Sequence, residues 1–122
     1  MGPRPRKLQL LRWIPRGIVK SRGSARDAAI YLTFDDGPHP EHTPRVLDLL
    51  ARHGARGSFF VIGDKVRANP DLARRIAAEG HLLGNHSHTH PEFRALDLAQ
   101  QLRELELADQ ALAAVGGGSE PL

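Results

Sequence analysis

An α/β fold with a parallel sheet is the architecture this sequence predicts, and three observations predict it. From Asp27 onward, short apolar runs alternate with helix-period segments in the order strand, helix, strand, helix, strand, helix, which is the order that lays helices against a parallel sheet. The first run, about Ala28–Phe34, is apolar on both faces, as a strand buried in a parallel sheet reads. The chain of 122 residues, 40% hydrophobic, suits one small domain with a modest core of Leu, Ala, Val and Ile.

The elements follow in order. After the first strand, a helix is expected over about 44–52, with Val46, Leu47, Leu49 and Leu50 on one side, and with His42 or Thr43 and Pro44 at its start. "HGARG" ends it and "SFFVI" is the second strand, while "GDKVRANP" reads as a loop. A second helix is expected over about 71–79, with Asn69 as N-cap and Gly80 as its stop. "HLLG" is a short third strand. A long helix over about 97–115 repeats Leu98, Leu102, Leu105 and Leu112 at helical spacing, the pattern of a core-packing face. "VGGGSEPL" closes the chain as a turn or linker.

Charge divides the chain. Residues 1–26 hold eight of the 17 basic residues and no acid, so the basic balance belongs to this leader, which is expected to be flexible. Such a leader can touch nucleic acid or anionic lipid. Apart from Trp13, no aromatic interleaves its charges, which disfavours nucleic acid and leaves membrane-surface contact open. Its apolar run is interrupted by Arg12 and Arg16, so it does not read as a signal peptide, and no stretch is long enough to span a membrane. With no Cys, disulfides and thiolate metal sites are excluded; any metal must be held by His, Asp or Glu. The compartment and the oligomeric state stay unassigned.

In parallel α/β folds ligands gather at the carboxyl ends of the strands, and two polar clusters lie there. One is Asp35-Asp36, after the first strand; the other is "GNHSHTHP", residues 84–91, after the third. His86 and His90, four apart, can point the same way, with His88 between them directed elsewhere. A carboxylate with two imidazoles is a three-ligand set that leaves a fourth position open. A cation also explains the paired carboxylates: alone, one of two neighbours would be pushed toward its neutral form, whereas beside a cation both stay charged and one can serve as a base. Each half has a plainer explanation. Asp-Asp before Gly37 suits a turn in which the glycine supplies the positive φ, and an isolated H-x-x-x-H is a weak signal. Their coincidence at parallel strand ends favours a site.

These motifs carry a family resemblance. Thr33-Phe34-Asp35-Asp36-Gly37-Pro38 and His86-Ser87-His88-Thr89-His90 resemble the two leading motifs of the polysaccharide deacetylases, the NodB homology domain of carbohydrate esterase family four, over about residues 31–115. The resemblance implies Asp35 as catalytic base and Asp36, His86 and His90 as ligands of a divalent metal, most often zinc, with cobalt or nickel as alternatives. It implies Ser87 as a hydroxyl that holds the histidine loop. The implied reaction is hydrolysis of an acetyl group, usually the N-acetyl amide of N-acetylglucosamine units in chitin-like or peptidoglycan chains, with O-acetyl esters also open. Members of this family often act at the cell envelope or outside the cell.

The family fold is a distorted (β/α) barrel of about seven units, and three are legible here. The expectation is therefore an incomplete barrel, with 27–122 as the N-terminal portion of a deacetylase domain whose open sheet edges expose apolar surface. The later motifs, including the general-acid histidine, are absent. His39, His42, His53 and His81 are expected on other elements or on the surface, not in that role. The alternative reading is a truncated, non-catalytic chain that keeps the metal site and lacks the general acid.

Overall fold

A computed structural model describes residues 30–116; the basic leader and the closing "GGSEPL" lie outside them. Three strands form one parallel sheet in the order β1-β2-β3: β1 Leu32–Gly37, β2 Gly57–Val61 and β3 Leu82–Asn85. The helices are α1 His42–Arg52, α2 Gly63–Ala68, α3 Pro70–Ala78 and α4 Leu98–Ala114, with a 3-10 turn at Phe93–Ala95 before α4. The α/β class and the parallel sheet are as the sequence predicts. No helix among these residues is long and apolar enough to cross a membrane.

The core lies on one face of β2. Phe59 and Val61, alternate residues and therefore on the same face, pack with Leu47 and Leu50 of α1, Ala73 and Ile76 of α3, and Ala111, Leu112 and Val115 at the end of α4. Phe34 of β1 stacks on Phe59 with ring centroids 4.8 Å apart.

Several expectations need correction. The first strand is not buried on both faces: β1 is an edge strand, mostly exposed, and the buried central strand is β2. In α1, Leu49 is exposed while Leu47 and Leu50 are buried, because about 100° per residue turns Leu49 away from Leu47. "GDKVRA" is helix α2, not loop. Its sequence has no apolar period; its first amides are held from elsewhere, Gly63 N donating to Ser87 O and Asp64 N to His88 O, each at 3.0 Å. The fourth concerns α4. Leu98, Leu102 and Leu105 are exposed, and only Leu112 of the expected stripe joins the core. The inward face instead runs Gln101, Glu104, Ala108, Ala111 and Val115, all buried or half-buried, with steps of three and four residues as one helix face requires.

The helix ends are also decided locally and otherwise. Asp97 caps α4 in a capping box: its carboxylate accepts from Gln100 N at 2.8 Å and Gln100 Oε1 accepts from Asp97 N at 2.9 Å. Asp97→Ala should cost about 1 kcal/mol, read as a fall of roughly 5 °C in melting temperature for a domain of this size. Asn69 stands before α3 but makes no capping bond there; its Nδ2 donates back to Lys65 O of α2. At α1, the side chain that takes up the free amides is His39, whose Nδ1 accepts from Glu41 N and His42 N at 3.1 and 3.2 Å. His81, expected on another element or at the surface, is buried: its Nδ1 accepts from Gly57 N at 3.1 Å and its ring meets that of Phe59 edge-on. Gly80, at φ +83°, ends α3 as expected.

Candidate metal centre

The site is built where the three strands end. Gly37 O accepts from Ile62 N at 2.9 Å and Val61 O accepts from His86 N at 3.0 Å, so the exits of β1, β2 and β3 are stitched together. In β1 the pairing with β2 slips between Asp35 and Gly37. Asp36 is the extra residue, and it adopts a left-handed φ of 68°. A bulge of this kind re-aims a side chain. The positive φ thus belongs to Asp36 and not to Gly37, the residue to which a simple turn would assign it. Lys65 of α2 donates to the Asp36 carbonyl at 2.7 Å, holding the bulge from the side.

The histidine loop carries the other two left-handed residues, Ser87 at φ 65° and His90 at φ 60°. All three non-glycine residues of positive φ among those described therefore lie at this site. Each such residue costs about 1–3 kcal/mol and persists only where its surroundings enforce it. The enforcing bonds are present. Ser87 Oγ accepts from His90 N at 3.1 Å, Asn85 Oδ1 accepts from Ser87 N at 2.8 Å, and Asn85 Nδ2 donates to Leu105 O and Asp109 Oδ1 of α4.

The result is convergence. His86 Nε2 and His90 Nε2 each lie 3.2 Å from Asp36 Oδ1, with the imidazole centroids 5.1 Å apart. One donor atom from each of the three residues falls within 4.8 Å of the others. Donors about 2.0–2.2 Å from a tetrahedral zinc must stand a little over 3 Å from one another, so the side chains present fit such an ion. Asp36 and His90 are exposed and His86 is half-buried, which leaves the group open to a ligand. An open groove lined by Asp36, Ile62, Asp64, Lys65, Thr89 and His90 runs on one side, and His86, Ser87, Pro91, Phe93 and Leu105 line another that shares His90. Asp35 is exposed at the same strand end and is not one of the three converging donors. His88 turns away, as expected: it is buried, with Nε2 3.0 Å from Asp64 Oδ1.

A family profile described as polysaccharide deacetylase matches residues 22–122. The chain belongs to the polysaccharide deacetylase family. A chitooligosaccharide deacetylase of Rhizobium leguminosarum bv. trifolii is 50% identical over 86 residues, covering 70% of this chain and 40% of that protein. A peptidoglycan-N-acetylglucosamine deacetylase of Bacillus cereus is 32% identical over 105 residues, covering 86% of this chain and 38% of that protein. Among solved structures, a family 4 carbohydrate esterase from Streptomyces lividans, in complex with acetate, superposes with a TM-score of 0.70 at 39% identity, over 74% of this chain and 46% of that one. The three parallel strands and their helices are thus an incomplete barrel of the deacetylase type, and the chain spans less than half the length of these relatives.

Sequence reasoning did not single out Glu104. Its Oε2 accepts from His88 N at 2.9 Å and Thr89 N at 2.8 Å, and its Oε1 from Thr89 Oγ1 at 2.9 Å. Burial pushes this carboxyl up, but the bonds from Thr89 and His88 outweigh burial and hold it below its usual 4.5. A depressed carboxylate adds stability that is complete above the usual value and is lost as pH falls through the folded one. The amide resonances of His88 and Thr89 should therefore titrate together in acid, with a midpoint below 4.5; a midpoint above it would contradict the arrangement.

Proposed function

We propose that this chain carries the metal-and-base part of a deacetylase active site, with Asp36, His86 and His90 holding a divalent ion, zinc by the chemistry of the donor set, and Asp35 acting as general base. The observation that supports this most is the meeting of two imidazole nitrogens and one carboxylate oxygen at the strand ends, in a chain of this family. When bound, such an ion acidifies water and polarises a carbonyl oxygen. The chain's own residues supply the metal ligands and the base. Asp36 and the two histidines fix the position of the reacting centre, and their exposure lets a polymer approach. Asp35 takes the proton from the attacking water as its oxygen bonds to the acetyl carbon. The carbon–nitrogen bond then breaks, the amine leaves with a proton from a general acid, and acetate is released. The substrate class is an acetylated polysaccharide or oligosaccharide of the chitin or peptidoglycan kind, consistent with the names of the relatives.

Acetate release from an N-acetylglucosamine oligomer, measured on the zinc-loaded chain, tests the reading. Asp35→Asn should abolish release and leave zinc binding unchanged. Zinc binding without release in the parent chain would support the second reading, a chain that keeps the metal site without the general acid. Absence of zinc binding in the parent would defeat both.

A further inference from the structure

We propose that Glu104 is the positioning residue of the metal site, its carboxylate clamping the middle of the histidine loop so that His86 and His90 face Asp36. The proposal rests on the metal reading above. Three observations carry it. First, the loop is strained on both sides of the clamp: Ser87 and His90 have left-handed backbones, and the two residues between them, His88 and Thr89, are those whose amides Glu104 accepts. A non-glycine residue holds such a conformation only when its neighbours enforce it, and Glu104 supplies three of the loop's bonds from one side chain.

Second, Glu104 lies in the inward face of α4, in step with Ala108, Ala111 and Val115. A carboxylate there needs partners for its charge, and the loop amides and the Thr89 hydroxyl are those partners. Bonds to an ionised acceptor are about twice as strong as neutral ones. Third, α4 is anchored in the core by Ala111, Leu112 and Val115. Gln101 Nε2, on the same face, holds Phe93 O and Leu96 O at 2.9 and 3.1 Å. The helix is thus a fixed template, and Glu104 transfers its position to the ligands.

The test is zinc affinity by calorimetry and the cobalt absorption spectrum of Glu104→Ala, Glu104→Gln and Asp97→Ala, at temperatures where circular dichroism shows each chain folded. Glu104→Ala should weaken zinc about 10–100-fold, the range for residues that orient metal ligands from outside the site, and should alter the cobalt ligand-field bands. Glu104→Gln can still accept both amides and meet the Thr89 hydroxyl, so it should recover all but about fivefold of the affinity. Asp97→Ala loosens the same helix without touching the loop and should bind zinc as the parent does. If Glu104→Ala folds poorly, Glu104→Leu, which keeps side-chain bulk on the helix, should show the same loss. Parent-like affinity and spectrum in a folded Glu104→Ala or Glu104→Leu chain would overturn the clamp while leaving the site standing. An equal loss in Asp97→Ala would reduce Glu104 to general helix stability and overturn it too. Failure of the parent to bind zinc would remove the site and the clamp together.

Discussion

His86→Ala, His90→Ala and Asp36→Ala are each expected to weaken zinc binding by more than about 100-fold, beyond what loss of an outer, orienting residue costs. The three donors have no spare among them: each residue offers one ligand atom to the cluster, and a set of three protein ligands reduced to two holds zinc poorly. Calorimetric titration of the folded chain should show one site in the parent and none in the triple variant. Asp36 sits on the β1 bulge with its carbonyl held by Lys65, so Asp36→Ala leaves that backbone contact in place and removes the carboxylate that both imidazoles face at 3.2 Å. Retention of zinc affinity in the triple variant would show that the ion binds elsewhere.

Gly63→Val carries the second large effect, and it joins the core to the site. A Cβ at Gly63 would lie 2.5 Å from His88 Nδ1, 3.0 Å from Ala108 Cα and 3.3 Å from His88 Cα. Two of those neighbours are backbone atoms, of the histidine loop and of α4, so a side chain at this position must push α2, the loop or α4 aside. Overpacking of this sort costs about 1–3 kcal/mol and occasionally more, and a β-branched side chain lies at the upper end. That is a large share of the roughly 5–15 kcal/mol a domain possesses. Chemical denaturation should record the lost stability. Zinc affinity measured on the remaining folded protein should fall as well, because the displaced loop bears His86 and His90. Gly63→Ala should show the same pair of effects at smaller size. A Gly63→Val chain of parent stability would mean that α2 and α4 do not meet as closely as described.

Both predictions depend on relations of different legibility. Asp36, His86 and His90 could be nominated from the sequence because apolar runs end at polar clusters, and parallel strands bring such ends to one rim whatever the details of packing. His88 could be set aside by the same spacing argument. The Glu104 carboxylate could have been found by counting back from Val115 in steps of three and four, which places it on the buried face. The leucine repeat is the more regular pattern, and leucine spacing alone does not say which of two helical faces meets the sheet. Leu98, Leu102 and Leu105 form a regular stripe that the described residues leave exposed.

What the sequence determined by itself is therefore the α/β class, the order of the strand–helix units and the residues that converge on the site. These follow from local periodicity, from turn residues such as Gly80, and from motif spacing, none of which needs a distant partner. Only the tertiary structure decided that β1 lies at an edge, that "GDKVRA" winds into a helix, that Asp36 rather than Gly37 takes the left-handed backbone, and that His81 is buried. Each of those depends on a contact between residues far apart in the chain. Ser87 and His88 carbonyls hold the first amides of α2, Lys65 holds Asp36, and Gly57 reaches His81. Such bonds select among conformations that local sequence leaves close in energy.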